Sequence, residues 1–472
     1  MVGILDKYKK VYMVGIKGVG MTMLAQFLKE KGLMISGSDT SEIFLTDKVL
    51  KKEKIKIGKN FDIKNIPQNI DLVVYSSAYN PENNVELAYL AKQKNIKVLN
   101  YASALGEIFN SYQGVSVCGS HGKTTTSAWL GYVLWKSDLQ PNVLVGSSVP
   151  QFKGSSLVGT SKIFVAETDE YQNKLQYFLP HGVVLNNIDY DHPDFFKTKA
   201  AYFTVFKEFV KKIPTDGWLV ANDSDKQIRS LYSNVKAWIL NYDLVLDEAE
   251  YLSKKNKVRF LAYDYYIKDA YQYFKVNNFG EFKIKMLGRH NVYNALAVLA
   301  ASFALGLETP EIKKHLATFS GTTRRAQRLG NFNGVPIFDD YAHHPTEVKA
   351  TLSAFKQAYP EKKLVAVFHP HTFTRTLALF DDFKKSFAMA DKLIVLDIYG
   401  SAREKHGGTS SQKLIEAIKN WNKEQGIKQV VVYQKDLISV EQYLKKSLKN
   451  NDLLLLMGAG DIFRVGERLI KS

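Results

Sequence analysis

Lys123 sits between a glycine and a run of threonines, in Gly119-Ser120-His121-Gly122-Lys123-Thr124-Thr125-Thr126. An ammonium, hydroxyls and two glycines at this spacing suit a phosphate chain. Small residues let backbone N–H groups close around anionic oxygens, and the lysine reaches the terminal phosphates. The Thr124 or Thr125 hydroxyl is placed to hold Mg²⁺. Chemistry of this kind consumes ATP or GTP. The usual pattern has a glycine six residues before the lysine, where this chain has Val117. Taken alone, the run can also be a flexible turn with a surface lysine.

Further groups with chemical potential follow. Glu167 ends an apolar run, and His192 follows Asp189-Tyr190-Asp191. An acid and an imidazole at one sheet edge suit Mg²⁺ ligation or the positioning of an attacking carboxylate. Lysine pairing by Glu167 and helix capping by His192 are the structural alternatives. Asn291 and Asn294 lie three apart at a helix start. Asparagine is poor inside helices, so Asn291 reads as an N-cap, while the Asn294 amide suits an adenine edge. Arg324-Arg325, in a Gly/Thr-rich turn, suits phosphate contacts or a solvated linker. Two polar clusters follow apolar runs: Asp339-Asp340-Tyr341-Ala342-His343-His344-Pro345, and His369-Pro370-His371-Thr372-Phe373-Thr374-Arg375. Near the start, Gly15-Ile16-Lys17-Gly18-Val19-Gly20 leads to Ser36-Gly37-Ser38-Asp39, an acid about twenty residues on. That layout suits a diphosphate and a ribose or base edge, and a plain tight turn is the alternative.

These residues need strand ends and helix starts to position them. Val115–Cys118 reads as a buried strand and 127–134 as a helix, which places the Lys123 run on a strand–turn–helix unit. Strands are expected at 11–14, 34–39, 72–77, 96–99, 162–167, 181–188, 335–340, 364–368, 393–397 and 453–457. The pattern predicts an α/β protein of three domains. A Rossmann-like domain covers 1–110, a central P-loop ATPase-type domain with a mainly parallel sheet covers 111–325, and a second Rossmann-like domain covers 326–472. In such sheets ligands sit at the C-terminal strand ends, so Glu167 and His192 are expected to converge on the mouth of the phosphate loop.

Composition agrees. The chain has 472 residues, 45% of them hydrophobic, enough for several cores. Its net charge of +17 comes from scattered lysines and suits anionic small substrates. No zinc spacing or aromatic-basic RNA motif appears, so nucleic acid is not expected as the ligand. Cys118 is the one cysteine, so no intrachain disulfide forms and a reducing compartment is expected. No signal peptide is visible, and runs such as Leu453–Met457 are too short to span a bilayer. A cytoplasmic protein with no membrane partner is expected.

Together, and in this order over nearly the whole chain, the motifs resemble those of the Mur ligases of peptidoglycan synthesis. The resemblance implies a uridine-nucleotide site at Gly15, Gly18, Val19, Gly20, Ser38, Asp39, Ser76 and Ser77. It implies ATP binding by Gly119, Ser120, His121, Gly122, Lys123, Thr124, Thr125, Asn291, Asn294, Arg325 and Asp340. Metal would be held by Thr124, Glu167 and His192, and catalysis served by Lys123, Glu167, His192, Arg325 and Asp340. Tyr341, His343 and Arg375 would receive an amino acid, with Arg375 pairing its carboxylate. The implied reaction joins L-alanine to the lactyl carboxylate of UDP-N-acetylmuramate through an acyl phosphate. ATP and Mg²⁺ would be required, in a monomer or weak homodimer. Lys17 replaces a usual glycine, and Thr168-Asp169-Glu170-Tyr171 departs toward the branch that joins a recycled tripeptide to the same sugar nucleotide. Other readings are a P-loop NTPase switch and a nicotinamide-dependent dehydrogenase, though the second leaves Lys123 unexplained.

Overall fold

The computed structural model describes residues 4–44, 46–269, 271–400 and 407–472. Its strands form three sheets. β1 (Lys10–Val14), β2 (Met34–Asp39), β3 (Lys56–Lys59), β4 (Leu72–Tyr75) and β5 (Lys97–Asn100) make a parallel sheet in the order β3-β2-β1-β4-β5. The order reverses between β1 and β4, so the loops after these two strands flank one crevice.

The second sheet comprises β6 (Gln113–Cys118), β7 (Asn142–Val149), β8 (Gly154–Leu157), β9 (Ile163–Glu167), β10 (Gly182–Leu185), β11 (Trp218–Asn222), β12 (Trp238–Leu244), β13 (Phe260–Lys268), β14 (Tyr271–Val276) and β15 (Gly280–Ile284). Their order is β15-β14-β13-β12-β11-β10-β6-β9-β7-β8. β6 lies in the parallel centre between β10 and β9, and every residue from Gly114 to Cys118 is buried. Parallel strands covered on both faces read as such unbroken apolar runs. The β13–β15 ladder at one edge is antiparallel and was not anticipated. Its exposed Lys and Tyr positions break the apolar run on which strand recognition relies.

The helix Lys123–Lys136 leaves β6 and is buried from Thr124 through Leu134. Trp129 is wholly buried against Phe319, with ring centroids 5.2 Å apart. Truncating such a side chain to alanine costs about 3–5 kcal/mol. This packing fixes the axis of the helix that carries Lys123 at its start.

The third sheet holds β16 (Gln327–Phe332), β17 (Val335–Asp340), β18 (Lys363–Phe368), β19 (Lys392–Val395), β20 (Val430–Tyr433) and β21 (Asp452–Met457), in the order β16-β17-β21-β18-β19-β20. Only β16 pairs antiparallel. Asp340 therefore stands at the C-terminal end of β17, and the His369–Arg375 cluster at that of β18. Among the described residues, no helix is long and apolar enough to cross a membrane.

Candidate active site

The phosphate loop is built around two glycines that nothing larger can replace. Gly119 (φ +117°) and Gly122 (φ +79°) lie where L-residues are strained. A Cβ on Gly119 would stand 2.7 Å from the Asn187 carbonyl oxygen, and one on Gly122 would stand 2.5 Å from Asn294 Oδ1. Gly122 is the N-cap of the following helix, and no side chain caps it, so the helix start faces the loop mouth. Asn187 Oδ1 accepts from the His121 backbone N–H at 2.8 Å, and the Ser120 hydroxyl donates to the Asp189 carbonyl at 2.6 Å.

Lys123 is turned toward its own loop. Its Nζ donates to the carbonyls of Gly119 (2.6 Å) and Ser120 (3.2 Å) and meets Glu170 Oε2 at 3.1 Å. Burial works to lower its pKa, but Glu170, Asp169 and Glu167 together raise it above the ordinary lysine value. The group stays cationic and can exchange carbonyls for phosphate oxygens.

Glu167 and His192 reach the same edge by different partners. Glu167 accepts from the Thr124 hydroxyl at 3.0 Å and from the Gly146 N–H at 2.7 Å. His192 groups with Asp169 and Glu170, their donor atoms all within 4.8 Å of one another. Glu170 joins the two halves: it is buried, it pairs with Lys123, and it accepts from the Tyr202 hydroxyl at 2.9 Å. Sequence reasoning missed Asp169 and Glu170 as site residues. The signal was the density of acids in Glu167-Thr168-Asp169-Glu170 directly after β9. Carboxylates and a hydroxyl with a single imidazole form a donor set that fits a hard cation such as Mg²⁺.

Beside the loop lies a cavity of about 240 Å³ with Gly122, Thr125, Asn294, Arg325 and Asp340 in its wall. Thr125 and Asn294 come from the second domain, Asp340 from the third, and Arg325 from the segment joining them. The expected N-cap at Asn291 is corrected: the helix runs Arg289–Ala304 with Gly288 as its cap. Gly288, at φ +88°, turns the chain one turn earlier, and Asn291 instead donates from Nδ2 to the Leu287 carbonyl at 2.7 Å. Asn294 donates to Asn291 Oδ1 at 2.9 Å and accepts from the Thr126 hydroxyl at 3.2 Å. These bonds hold its amide rigidly in the cavity wall.

Arg325 lies between two residues in the left-handed region, Arg324 (φ +63°) and Ala326 (φ +47°). Such strain costs roughly 1–3 kcal/mol per residue and persists where surrounding bonds impose it. Asp340 holds Ala326, accepting from its N–H (2.7 Å) and from that of Ala342 (2.8 Å), while the Arg324 N–H donates to Gln327 Oε1 (2.8 Å). Arg324 pairs with the buried Asp339 at 2.9 Å. Arg325 is left nearer the cavity, over the Tyr341 ring and 3.6 Å from Glu347 Oε1.

Glu347 also meets His121 Nδ1 at 3.3 Å, linking the phosphate loop to the third domain. Burial lowers the His121 pKa, but hydrogen bonds to Asp189 and Glu347 raise it on balance to about 9. Arg375, three residues after the helix cap Thr372, is buried against Asp191. The carboxylate it meets is thus one from the second domain. His343, beside Tyr341, is driven down to about 3 by burial, with Arg375 opposing its protonation. Asp169, Glu170, Asp191 and Glu347 all took part without having been expected. The contacts of Glu170, Asp191 and Glu347 cross long stretches of chain that spacing does not reveal.

At the first sheet the loops after β1 and β4 do meet. A Cβ on Gly15 (φ +77°) would lie 2.9 Å from Ser76 Cβ, and one on Gly20 would lie 2.9 Å from the Tyr101 ring. Gly18 has an ordinary backbone and more room. Val19 and Ser77 are exposed at this mouth. Ser38 and Asp39 point inward: the Ser38 hydroxyl donates to the buried Glu86, and Asp39 accepts from the N–H groups of Lys17 (2.7 Å) and Thr40 (2.8 Å). They shape the loop. The unusual Lys17 donates to the Thr40 and Glu42 carbonyls and pairs with Asp47, fastening the segment after β2 to the glycine turn.

Family models match most of the chain. The Mur ligase family catalytic domain covers residues 10–113, the Mur ligase middle domain 117–302, and the Mur ligase glutamate ligase domain 324–460. A UDP-N-acetylmuramate–L-alanine ligase of Caldanaerobacter subterraneus is 37% identical, across 99% of this chain and 98% of the relative. One from Clostridium acetobutylicum is also 37% identical, over the same shares. Among solved structures, the UDP-N-acetylmuramate-alanine ligase of Thermotoga maritima superposes with a TM-score of 0.80 at 24% identity, covering 98% of each chain. A murein peptide ligase of Psychrobacter arcticus gives 0.71 at 23%, again over 98% of each. The three sheets, the glycine-framed lysine and these full-length relatives agree that this chain belongs to the Mur ligase family.

Proposed function

We propose that the protein is an ATP-dependent ligase that joins L-alanine to the lactyl carboxylate of UDP-N-acetylmuramate through an acyl phosphate. The observation that carries this is the cavity beside Lys123, walled by residues from both flanks of the domain junction. A nucleotide seated there would touch the phosphate loop, Asn294, Arg325 and Asp340 at once. The names of the relatives support alanine as the amine. The reading places the domain boundaries at 1–110, 111–325 and 326–472, with the protein cytoplasmic and a monomer or weak homodimer.

In this reading Lys123 releases its loop carbonyls and binds the β- and γ-phosphates. Thr124, Glu167 and His192, with Asp169 and Glu170, would hold Mg²⁺, which offsets charge on the phosphates. Attack by the lactyl carboxylate on the γ-phosphorus gives acyl phosphate and ADP. Attack by the amine on the acyl carbon then expels phosphate, and the amine's proton passes to solvent or base. The chain contributes position and charge neutralisation, the main devices of phosphoryl transfer. Tyr341, His343 and Arg375 line the approach of the amine, and UDP would lie along Gly15–Gly20, Ser76 and Ser77, with Ser38 and Asp39 beneath.

Phosphate release from ATP, with and without UDP-N-acetylmuramate, tests the reading when L-alanine, glycine, L-serine or the tripeptide L-alanyl-γ-D-glutamyl-meso-diaminopimelate is offered. Release is expected only with both acceptors, and fastest with L-alanine. Release indifferent to either acceptor would fit a switch-type NTPase, and preference for the tripeptide would fit a murein peptide ligase.

A further inference from the structure

The C-terminal strand ends of the first two sheets meet at one phenol. β5 ends at Asn100, and Tyr101 opens the helix Tyr101–Phe109 with Asn100 as its cap. The Tyr101 ring lies against the glycine turn after β1. A Cβ on Gly20 would stand 2.9 Å from its Cζ and 3.0 Å from its hydroxyl oxygen. Gly20 lies in the first turn of the helix Val19–Glu30, so the phenol sits at that helix start. The N–H groups there have no partner within the helix and favour an anion.

The second domain bears on the same ring. Among the described residues the Tyr101 hydroxyl makes no hydrogen bond, and the charges it feels are those of Glu167 and Asp169 after β9. Burial first, and these acids next, raise its pKa above the ordinary phenol value, so the hydroxyl keeps its proton and can donate it. The helix behind it fixes its place between the two domains. Gly106 packs so closely that a Cβ would stand 2.6 Å from the Tyr177 carbonyl oxygen. Asn110 donates from Nδ2 to that carbonyl at 3.0 Å and accepts from the Leu179 N–H at 2.7 Å. Tyr177 and Leu179 lie on the chain that continues from Asp169 and Glu170, so the helix is seated on the segment that carries the metal edge.

We propose that the Tyr101 hydroxyl is a substrate contact, donating to an anionic oxygen on the sugar side of the bound sugar nucleotide. On the reading that UDP lies along Gly15–Gly20 and the lactyl carboxylate reaches the γ-phosphate at Lys123, on which this contact rests, a ligand spanning the two places runs past Tyr101. Its sugar-side anionic oxygens belong to the β-phosphate and to the lactyl carboxylate, and each accepts from a phenol. A hydrogen bond to a charged acceptor is stronger than one between neutral groups. Repulsion from Glu167 and Asp169 is offset by Lys123, which these acids help to keep cationic, and by the Mg²⁺ that this edge would hold. The ring and the hydroxyl thus have separate tasks. The ring packs on Gly20, and the hydroxyl faces the ligand.

Calorimetry on the full chain compares the wild type with Tyr101→Phe, which keeps the ring and removes only the donor. The affinity for UDP-N-acetylmuramate is expected to fall about 10–100-fold, the worth of one hydrogen bond to a charged group. The melting temperature and the affinity for ATP should stay as they are. UDP tells the two oxygens apart. A matching loss for UDP assigns the contact to the β-phosphate, and full retention of UDP binding assigns it to the lactyl carboxylate. UMP has neither group and should bind both proteins equally. Equal affinity of both proteins for UDP-N-acetylmuramate, or a loss shared by UMP or ATP, would overturn the contact and leave the ligase reading standing. A wild type that binds no UDP-N-acetylmuramate would overturn both.

Discussion

Arg375 closes on Asp191 with two nitrogens, Nε on Oδ1 at 3.1 Å and Nη2 on Oδ2 at 3.3 Å. Both side chains are buried, and the bond joins the third domain to the second next to His192. Burial opposes the Asp191 charge, yet Arg375 and the nearby histidines hold its carboxyl well below the usual range. A forked guanidinium on a carboxylate is strong only while both partners remain. Arg375→Ala is expected to destabilise by about 3–5 kcal/mol, because it strands a buried charge. The double variant with Asp191→Ala should cost clearly less than the two single changes added together. A denaturant titration of the four proteins measures this, and simple additivity would sink the coupling.

Lys123 stays cationic at the mouth of the phosphate loop, so its charge is expected to serve turnover, beside a structural pairing with Glu170. Lys123→Ala should lower kcat by at least 10²–10³-fold, the usual cost of removing one charge-stabilising group. The circular dichroism spectrum should be unchanged, since Trp129 and the rest of the helix hold its position. Activity near wild type in a folded variant would contradict the role given to the loop.

The strands that carry the site residues were legible, because β1, β6, β18 and β21 are largely apolar runs that no helical period explains, whereas β3, β7, β8, β11, β12, β16 and β20 were missed along with the β13–β15 ladder. The glycine turns were legible because their spacing encodes backbone shape. The Asn291 cap was misread because Gly288 provides a turn with positive φ that no side-chain preference signals. The pairings of His121 with Glu347 and of Asp191 with Arg375 were out of reach. They join residues 226 and 184 positions apart, and only domain docking brings them together.

His121 gives the docked form an alkaline limit. Its pKa is raised to about 9 from an ordinary 6.5. The folded form therefore retains a proton that the unfolded chain gives up first. This contribution is complete below pH 6.5 and is lost as pH rises through about 9. Stability should fall between those values by at most about 1.4 kcal/mol per pH unit. Melting temperatures of the wild type and His121→Gln across this range check it. The variant's curve should be flatter, and parallel curves would refute the assignment.

Gly122→Ala isolates the geometry of the loop. At φ +79° an alanine is strained by roughly 1–2 kcal/mol, and its Cβ would press on Asn294 Oδ1 and Asn186 Nδ2. Both amides would have to shift, and Asn294 lines the cavity. The expected result is at least a tenfold rise in KM for ATP, together with a modest loss of stability. Unchanged ATP binding, measured by calorimetry, would show that Asn294 does not need its present position.

Glu170 separates a structural from a chemical role at the metal edge. Its carboxylate lies between Lys123 and Tyr202, with His192 Nε2 3.8 Å from Oε1. Glu170→Gln keeps the volume and still offers an oxygen to Tyr202, but it removes the charge. If Glu170 only neutralised Lys123, the variant would lose stability and keep its Mg²⁺ dependence, because Thr124 and Glu167 are untouched. If the carboxylate helps to hold the cation, the Mg²⁺ concentration for half-maximal rate should rise 10–100-fold, with a fall in kcat. The second outcome is expected. Lys123 already has two carbonyls to hold it, so pairing alone does not account for an acid this deeply buried beside an imidazole. A rate-against-Mg²⁺ curve superimposable on the wild type would return Glu170 to a structural role.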